Sequence, residues 1–265
     1  MKITDRIGAA WRAFKGQRSD PYAGTYGTGN ISGFAGGAVN RLTASLASWS
    51  GSVNADLDAA LPVLRARARS LAANNEHGRR FLSLVAANVV GRQNPKLQVR
   101  AVQQNGRLDK VANDAIEIHW ERWGRRADIS GRHASLYALL RTAIKGVARD
   151  GEALIRIVRD RRLPYGMALQ LLEADRLDET YNARLDNGHV VRQGVELDGT
   201  LRAVAYYIKT AHPGDTAFVP GKAGVERVAA GDLLHLFLPE RAEQVRGITW
   251  LHAVIVRASV IHSFE

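Results

Sequence analysis

RHASLYALLRTAIKGVARDGEALIRIV, Arg132–Val158, holds the change of period that decides the fold. Leu136, Leu139, Leu140, Ala143, Ile144 and Val147 recur at three and four residues, which predicts an amphipathic helix over 132–149. Asp150-Gly151 ends it. Ala153, Ile155 and Ile157 then alternate, which predicts a strand over Glu152–Arg159. A helix running straight into a strand predicts an α+β chain, helical before this point and β-rich after it.

Downstream, Met167–Leu172 reads as a second strand, and Asn187-Gly188 as a turn. Val190–Leu197 and Leu201–Lys209 flank Asp198-Gly199, a strong hairpin signal. A Pro- and Gly-containing loop follows over His212–Gly224, then a last strand over Leu233–Leu238, closed by Pro239. Gly247–Glu265 reads as a helix with an apolar stripe of Leu251, Val254, Ile255, Ala258 and Ile261. The periodic pattern is still running at the last residue, so the chain is expected to be the front part of a longer protein. The stripe predicts an apolar partner, either a neighbouring subunit or the continuation of the same chain.

Upstream, a helix is predicted from Leu108 to Trp123 with Leu108, Val111, Ala115 and Ile118 on its core face. Asn105-Gly106 is a turn, and Lys96–Val102 alternates like a strand. Phe81, Leu82, Val85 and Val89 mark a helix stopped by Gly91. Another begins near Asp56 with Leu57, Leu61, Leu64, Ala68 and Leu71, its early Pro62 tolerable in a first turn. Residues 16–55 are rich in Gly, Ser, Ala, Thr and Asn and read as a mobile arm. Ile3, Ile7, Trp11 and Phe14 suggest a short amphipathic helix ahead of it.

The 265 residues suit one large domain or two small ones. With no cysteine, disulfides, Cys-ligated zinc, iron–sulfur clusters and thiol catalysis are excluded. No apolar run approaches the ~20 residues of a membrane helix, and the N-terminus lacks the apolar core of a secretory signal. The net charge of +11 is unevenly distributed. Residues 1–150 hold 23 Lys/Arg against 11 Asp/Glu, and residues 151–265 hold 14 against 15. A basic first part is consistent with a nearby polyanion or with a solvated, Arg-rich surface.

Motifs for chemistry are weak. GTGNISG at Gly27–Gly33 has the wrong final spacing for a dinucleotide fingerprint. PGKAG at Pro220–Gly224 lacks the first glycine and the Ser/Thr of a P-loop. None of the eight histidines has metal-ligand spacing, and packed or surface roles are preferred for them. Glu173, Asp175, Asp178 and Glu179 could bind a divalent cation, but an exposed turn is preferred. Trp120 and Trp123, beside Arg122, Arg125 and Arg126, are read as packing rather than nucleic-acid stacking. No catalytic, cofactor-binding or metal residue is expected.

Several stretches resemble the lambda-like portal proteins of tailed bacteriophages. RARARSLAANNEHGRRFLSLVAANVVG (Arg65–Gly91) carries Arg-x-Leu-x-x-Asn and a Val-Gly end. Arg132–Val158 carries the helix, Gly-Glu and strand. LQLLEADRLD (Leu169–Asp178), NGHVVRQGVELDGTLRAVAYYI (Asn187–Ile208) and DLLHLFLPERAEQVRGITWLHAVI (Asp232–Ile255) follow in the family's order, the last with His-x-Phe and Gln-x-Arg-Gly.

The resemblance covers about residues 56–265 and implies a portal-like α+β fold: a helical wing region, a β-rich clip-like region and long stem helices. On that plan 1–55 is the arm, 56–131 the wing, 132–151 a stem-like helix, 152–240 the clip and 247–265 the start of a second stem-like helix. It implies a non-enzymatic ring, usually dodecameric, at one capsid vertex in the virion, assembled in the host cytoplasm. Double-stranded DNA passes through such a ring during packaging and ejection. Partners would be further copies, the terminase large subunit (which holds the ATPase), capsid and head-completion proteins, with no membrane and no cofactor. Arg65, Arg67, Arg69, Arg79 and Arg80 become candidate DNA-facing residues, and Leu251, Val254, Ile255, Ala258 and Ile261 a candidate subunit contact. The alternatives are a basic nucleic-acid-binding module and, further off, an enzyme centred on the acidic cluster.

Overall fold

The computed structural model describes residues 51–92, 95–215 and 223–262. Most of the glycine-rich arm, the 3–15 helix, GTGNISG and most of PGKAG lie outside them.

Helix α1, Val53–Asn74, starts three residues before the expected Asp56. That puts Pro62 inside the helix rather than in its first turn, at the loss of one i→i−4 hydrogen bond. Helix α2, Glu76–Val89, is capped by Asn75, whose side chain accepts from the His77 and Gly78 amides. Lys96–Val102 is not a strand. Among the described residues the segment makes a Val102–Leu108 bridge and no ladder with another strand; its Val99 and Ala101 amides donate instead to the Glu117 and Asn113 side chains of the helix that follows.

Helix α3, Lys110–Gly124, forms as expected but turns the other way. Trp123 is buried and donates through Nε1 to the Met167 carbonyl (3.0 Å), while Val111 and Ile118 are exposed. Burying Trp123 and packing the half-buried Trp120 beside it removes more apolar area than burying a Val, an Ala and an Ile, so the Trp face wins. Helix α4, Leu136–Asp150, buries Leu136, Leu139, Ala143 and Val147 and ends at Gly151, whose φ of 94° suits glycine.

Strands β1 (Glu152–Arg159) and β2 (Met167–Leu172) form as expected. Val190–Leu197 is not one strand but two, β4 (Val190–Arg192) and β5 (Val195–Leu197), with β3 (Ala183–Arg184) before them. Gln193 and Gly194 have φ of 49° and 81°, the two positive values a tight hairpin turn needs. Strand β6 is Ala203–Lys209. Strand β7, Val225–Ala229, forms just beyond the expected loop, where VERVA is too short and polar to announce itself. Strand β8 is Leu233–Phe237.

The strands make two antiparallel sheets, ordered β2-β1-β8 and β3-β4-β5-β6-β7. Alternation along β1 builds two cores. Ala153 and Ile155 face α4 with Leu139, Ala143 and Val147. Leu154 faces the second sheet with Val195, Tyr206 and Ile208. Residues 247–254 are turns, and helix α5 covers only Ile255–His262. The expected stem-length helix at 247–265 is therefore shorter by eight residues at its start.

Candidate functional site

The turn between α4 and β1 places Gly151 and Glu152 in the interior, where the loop after β8 crosses them. A Cβ on Gly151 would lie 2.5 Å from the Gly247 carbonyl oxygen, and one on Gly247 would collide with the Gly151 carbonyl. Both positions therefore require glycine, and the two backbones touch.

Glu152 sits beneath this crossing, 1% exposed. Its Oε1 accepts from Arg65 Nη2 and from Arg246 Nε (2.9 Å) and Nη2. Its Oε2 accepts from the Gly247 amide (3.0 Å) and lies 2.8 Å from His235 Nε2. Burial alone would raise this carboxyl's pKa, but Arg246 and Arg65, with His235, hold it well below the usual carboxylate range. Arg246 also donates to the Gln193 and Ala174 carbonyls, and Arg65 to the Asp150 carbonyl and to Glu179 (2.9 Å). Around this centre Arg69 pairs with Asp150 and Asp175, and Arg149 with Asp150. Four arginines (65, 69, 149, 246) thus meet four carboxylates (150, 152, 175, 179). Gln244 shapes the loop, accepting from the Glu240 amide and donating to the Arg246 carbonyl. Asn54 pins the loop to the start of α1 by bonding Glu243 and Val245.

A second buried carboxylate, Glu196 on β5, accepts from Arg227 Nε (2.6 Å) and Nη2 (2.9 Å) and meets His189 Nδ1 at 2.8 Å. The Arg227 hydrogen bonds outweigh burial and bring Glu196 to a pKa of about 2. Asp128, raised by burial but bonded by Ser130 and His133, is also held at about 2. Three histidines thus lie against buried carboxylates rather than in a ligand set.

These clusters are joints. Among the described residues, each buried carboxylate (Asp128, Asp150, Glu152 and Glu196) is engaged by cations, hydroxyls or amides of the chain itself. The acidic cluster is divided in the same way: Asp175 binds Arg69, Glu179 binds Arg65 and Asp178 binds Lys209 (3.1 Å). Glu173, Asp175 and His212 come within 4.8 Å of one another, but the Arg69 guanidinium already occupies Asp175.

The candidate DNA-facing residues separate into two groups. Arg65 is 1% exposed, so it offers no donor to a phosphate, and Arg69 is turned to Asp150 and Asp175. Arg67, Arg79 and Arg80 are exposed on α1 and α2, as are Arg122, Arg125, Arg126 and Arg132 further along. The apolar stripe is also divided. Leu251 and Ile255 are covered from within the chain, against Ala68, Leu64, Leu71 and Phe81. Val254 is exposed, Ala258 half-buried, and the Ile261 side chain lies outside the description. Among the described residues no helix is long and apolar enough to cross a membrane.

The quoted sequence stretches converge here: Arg69 with Asp175, and Gly-Glu at 151–152 with His235 and Gln-x-Arg-Gly at 244–247. The family profile described as "Phage portal protein, lambda family" matches residues 39–265. A protein of Halomonas phage phiHAP-1 named "Probable portal protein" is 37% identical over 213 residues, which is 78% of this chain and 41% of that protein. The chain spans well under half the length of that relative.

Proposed function

Because the chain belongs to the lambda family of phage portal proteins, we propose that it is a subunit of a ring at one capsid vertex, through which double-stranded DNA passes during packaging and ejection. The match over residues 39–265 carries this reading. The motor would be the terminase large subunit docking on the ring, with capsid and head-completion proteins as its other neighbours. Residues 56–131 would form the wing, α4 would lead toward the stem, 152–240 would contain the clip and α5, Ile255–His262, would begin the returning stem helix. The charge joint supports the assignment in physical terms. A conduit subunit under load needs helices locked to its sheets, and the Glu152 network joins α1, α4, β1, β8 and the 240s loop at one point.

A channel must not grip its cargo, because neutralising many phosphates releases counterions and makes DNA stick. Residues 151–265, near neutral overall, would line the passage, and exposed Arg67, Arg79 and Arg80 would face packaged DNA. The test is a titration of duplex DNA with the purified chain over a salt series. Weak binding, with a salt slope that drops by about three when these arginines become alanine, is expected. Sequence-specific binding near ~10⁻⁸ M at physiological salt would instead favour a DNA-binding module.

A further inference from the structure

The last turn of α3 and the residues just past it carry three exposed arginines, Arg122, Arg125 and Arg126. Arg122 stands three and four residues before the other two, so the three leave the chain on one side. The negative end of the helix dipole accounts for one cation there. Among the described residues no hydrogen bond or ion pair engages the three guanidiniums. Other exposed arginines are matched: Arg156 binds Glu226, Arg162 binds Asp160 and Arg227 binds Glu196.

With Trp123, Pro164 and Tyr165 these arginines wall a hollow of about 360 Å³, and no acid lines it. Hollows of roughly 300–1,000 Å³ take a small molecule or one unit of a polymer. Two other hollows lined by arginines also hold carboxylates, Glu226 and Asp232 in one and Asp150, Glu152 and Glu173 in the other. Trp123 is committed to the core, its Nε1 donating to the Met167 carbonyl. The ring offered to solvent is that of Tyr165, 53% exposed. Its φ of 67° is left-handed, a conformation that glycine takes freely and a bulky side chain does not. His119 steadies it there: its Nδ1 lies 3.2 Å from the Tyr165 hydroxyl, and the two rings meet edge to face at 5.7 Å. A tyrosine kept exposed on strained backbone, at the rim of an unmatched basic hollow, needs a reason outside the fold.

Guanidiniums bind phosphate oxygens through paired hydrogen bonds, and an exposed aromatic ring stacks on an unpaired base. Duplex DNA keeps its bases inside and presents a convex backbone, which does not enter a hollow. A single strand can set one base on Tyr165 and its flanking phosphates on the arginines. We infer that this hollow binds single-stranded nucleic acid, with Arg122, Arg125 and Arg126 at phosphates and Tyr165 under a base. An acidic peptide would satisfy the arginines and leave the exposed ring unexplained. The site is separate from the passage of duplex DNA proposed above, and neither depends on the other.

The test starts from the full chain with Arg67, Arg79 and Arg80 replaced by alanine, which silences the surface proposed above to face duplex DNA. Binding of a fluorescein-labelled oligothymidine of about 15 nucleotides is followed by anisotropy over a salt series. Unlabelled oligothymidine, a duplex of the same length and polyglutamate serve as competitors. The starting chain should bind the strand, and the duplex and polyglutamate should displace it several-fold less well than oligothymidine. Adding Tyr165→Gly should weaken binding about tenfold, while the melting temperature stays within about 4 °C because glycine accepts the left-handed backbone. Adding Arg122→Ala, Arg125→Ala and Arg126→Ala should lower the salt slope by about two. Unchanged binding with Tyr165→Gly, displacement by duplex or polyglutamate as good as by oligothymidine, or no binding by the starting chain would each overturn the site and leave the ring reading standing.

Discussion

Glu152→Gln keeps the shape of the side chain and removes its charge. The carboxylate accepts from Arg65, twice from Arg246 at Oε1, and from the Gly247 amide at Oε2, with His235 alongside. An amide has one acceptor oxygen. If it faces the arginines, its NH₂ meets the Gly247 amide, donor against donor; if it flips, the NH₂ meets two guanidiniums. Arg246, 0% exposed, is then left without its counter-charge, and Arg65, 1% exposed, keeps only the half-buried Glu179. Breaking a buried pair in this way costs about 3–5 kcal/mol, a large part of the ~5–15 kcal/mol that holds a domain folded. At roughly 2–4 °C per kcal/mol for a chain of this size, the melting temperature should fall by roughly 6–20 °C. Urea unfolding of the two proteins, followed by circular dichroism, measures the difference directly. Arg65→Met in the Gln background should recover part of the loss, because an apolar residue asks for no counter-charge. A difference below about 1 kcal/mol would refute the claim that this carboxylate holds the joint together.

Gly247→Ala should cost about 3 kcal/mol or more in the same assay, since its Cβ meets the Gly151 backbone, which cannot move aside as a side chain could. Arg65→Ala should destabilise by about 3–5 kcal/mol while Arg67→Ala, exposed one turn-face away, stays within about 0.5 kcal/mol. Equal effects would contradict the division of the arginines into buried and exposed. Glu152, Glu196 and Asp128 have depressed folded-state pKa values, so each adds stability above its unfolded pKa and loses it as pH falls through its folded one. Stability should therefore be level at neutral pH and drop from about 4.5 toward about 2; a melting temperature unchanged between pH 5 and 2.5 would count against these clusters.

The helix-to-strand switch at Asp150-Gly151 was legible because period and turn residue agree there. The α4 core face and both flanking strands follow from it. Boundaries were less so: α5 starts at Ile255, because residues 246–249 are held by Glu152 and the Ala148 carbonyl, bonds that pattern alone does not reveal. Helix α3 was read as amphipathic correctly, but periodicity cannot say which of two apolar faces meets the core. The charge joint was the least visible. Its paired members lie up to 114 residues apart, and one chain carries no pairing information. One local signal existed. Arg65 falls on the stripe of Leu57, Leu61 and Ala68, where an arginine must either bend the helix outward or find a buried partner. The motifs Gly-Glu and Gln-x-Arg-Gly were noted separately, and only the fold shows that they are two halves of one contact.

The most direct measurement for the account as a whole is negative-stain electron microscopy of the purified chain across a range of concentrations. The account predicts closed rings of one size with a central opening wide enough for duplex DNA. Uniform small particles at every concentration, with no ring in any field, would contradict the claim that these 265 residues hold enough interface to close a ring.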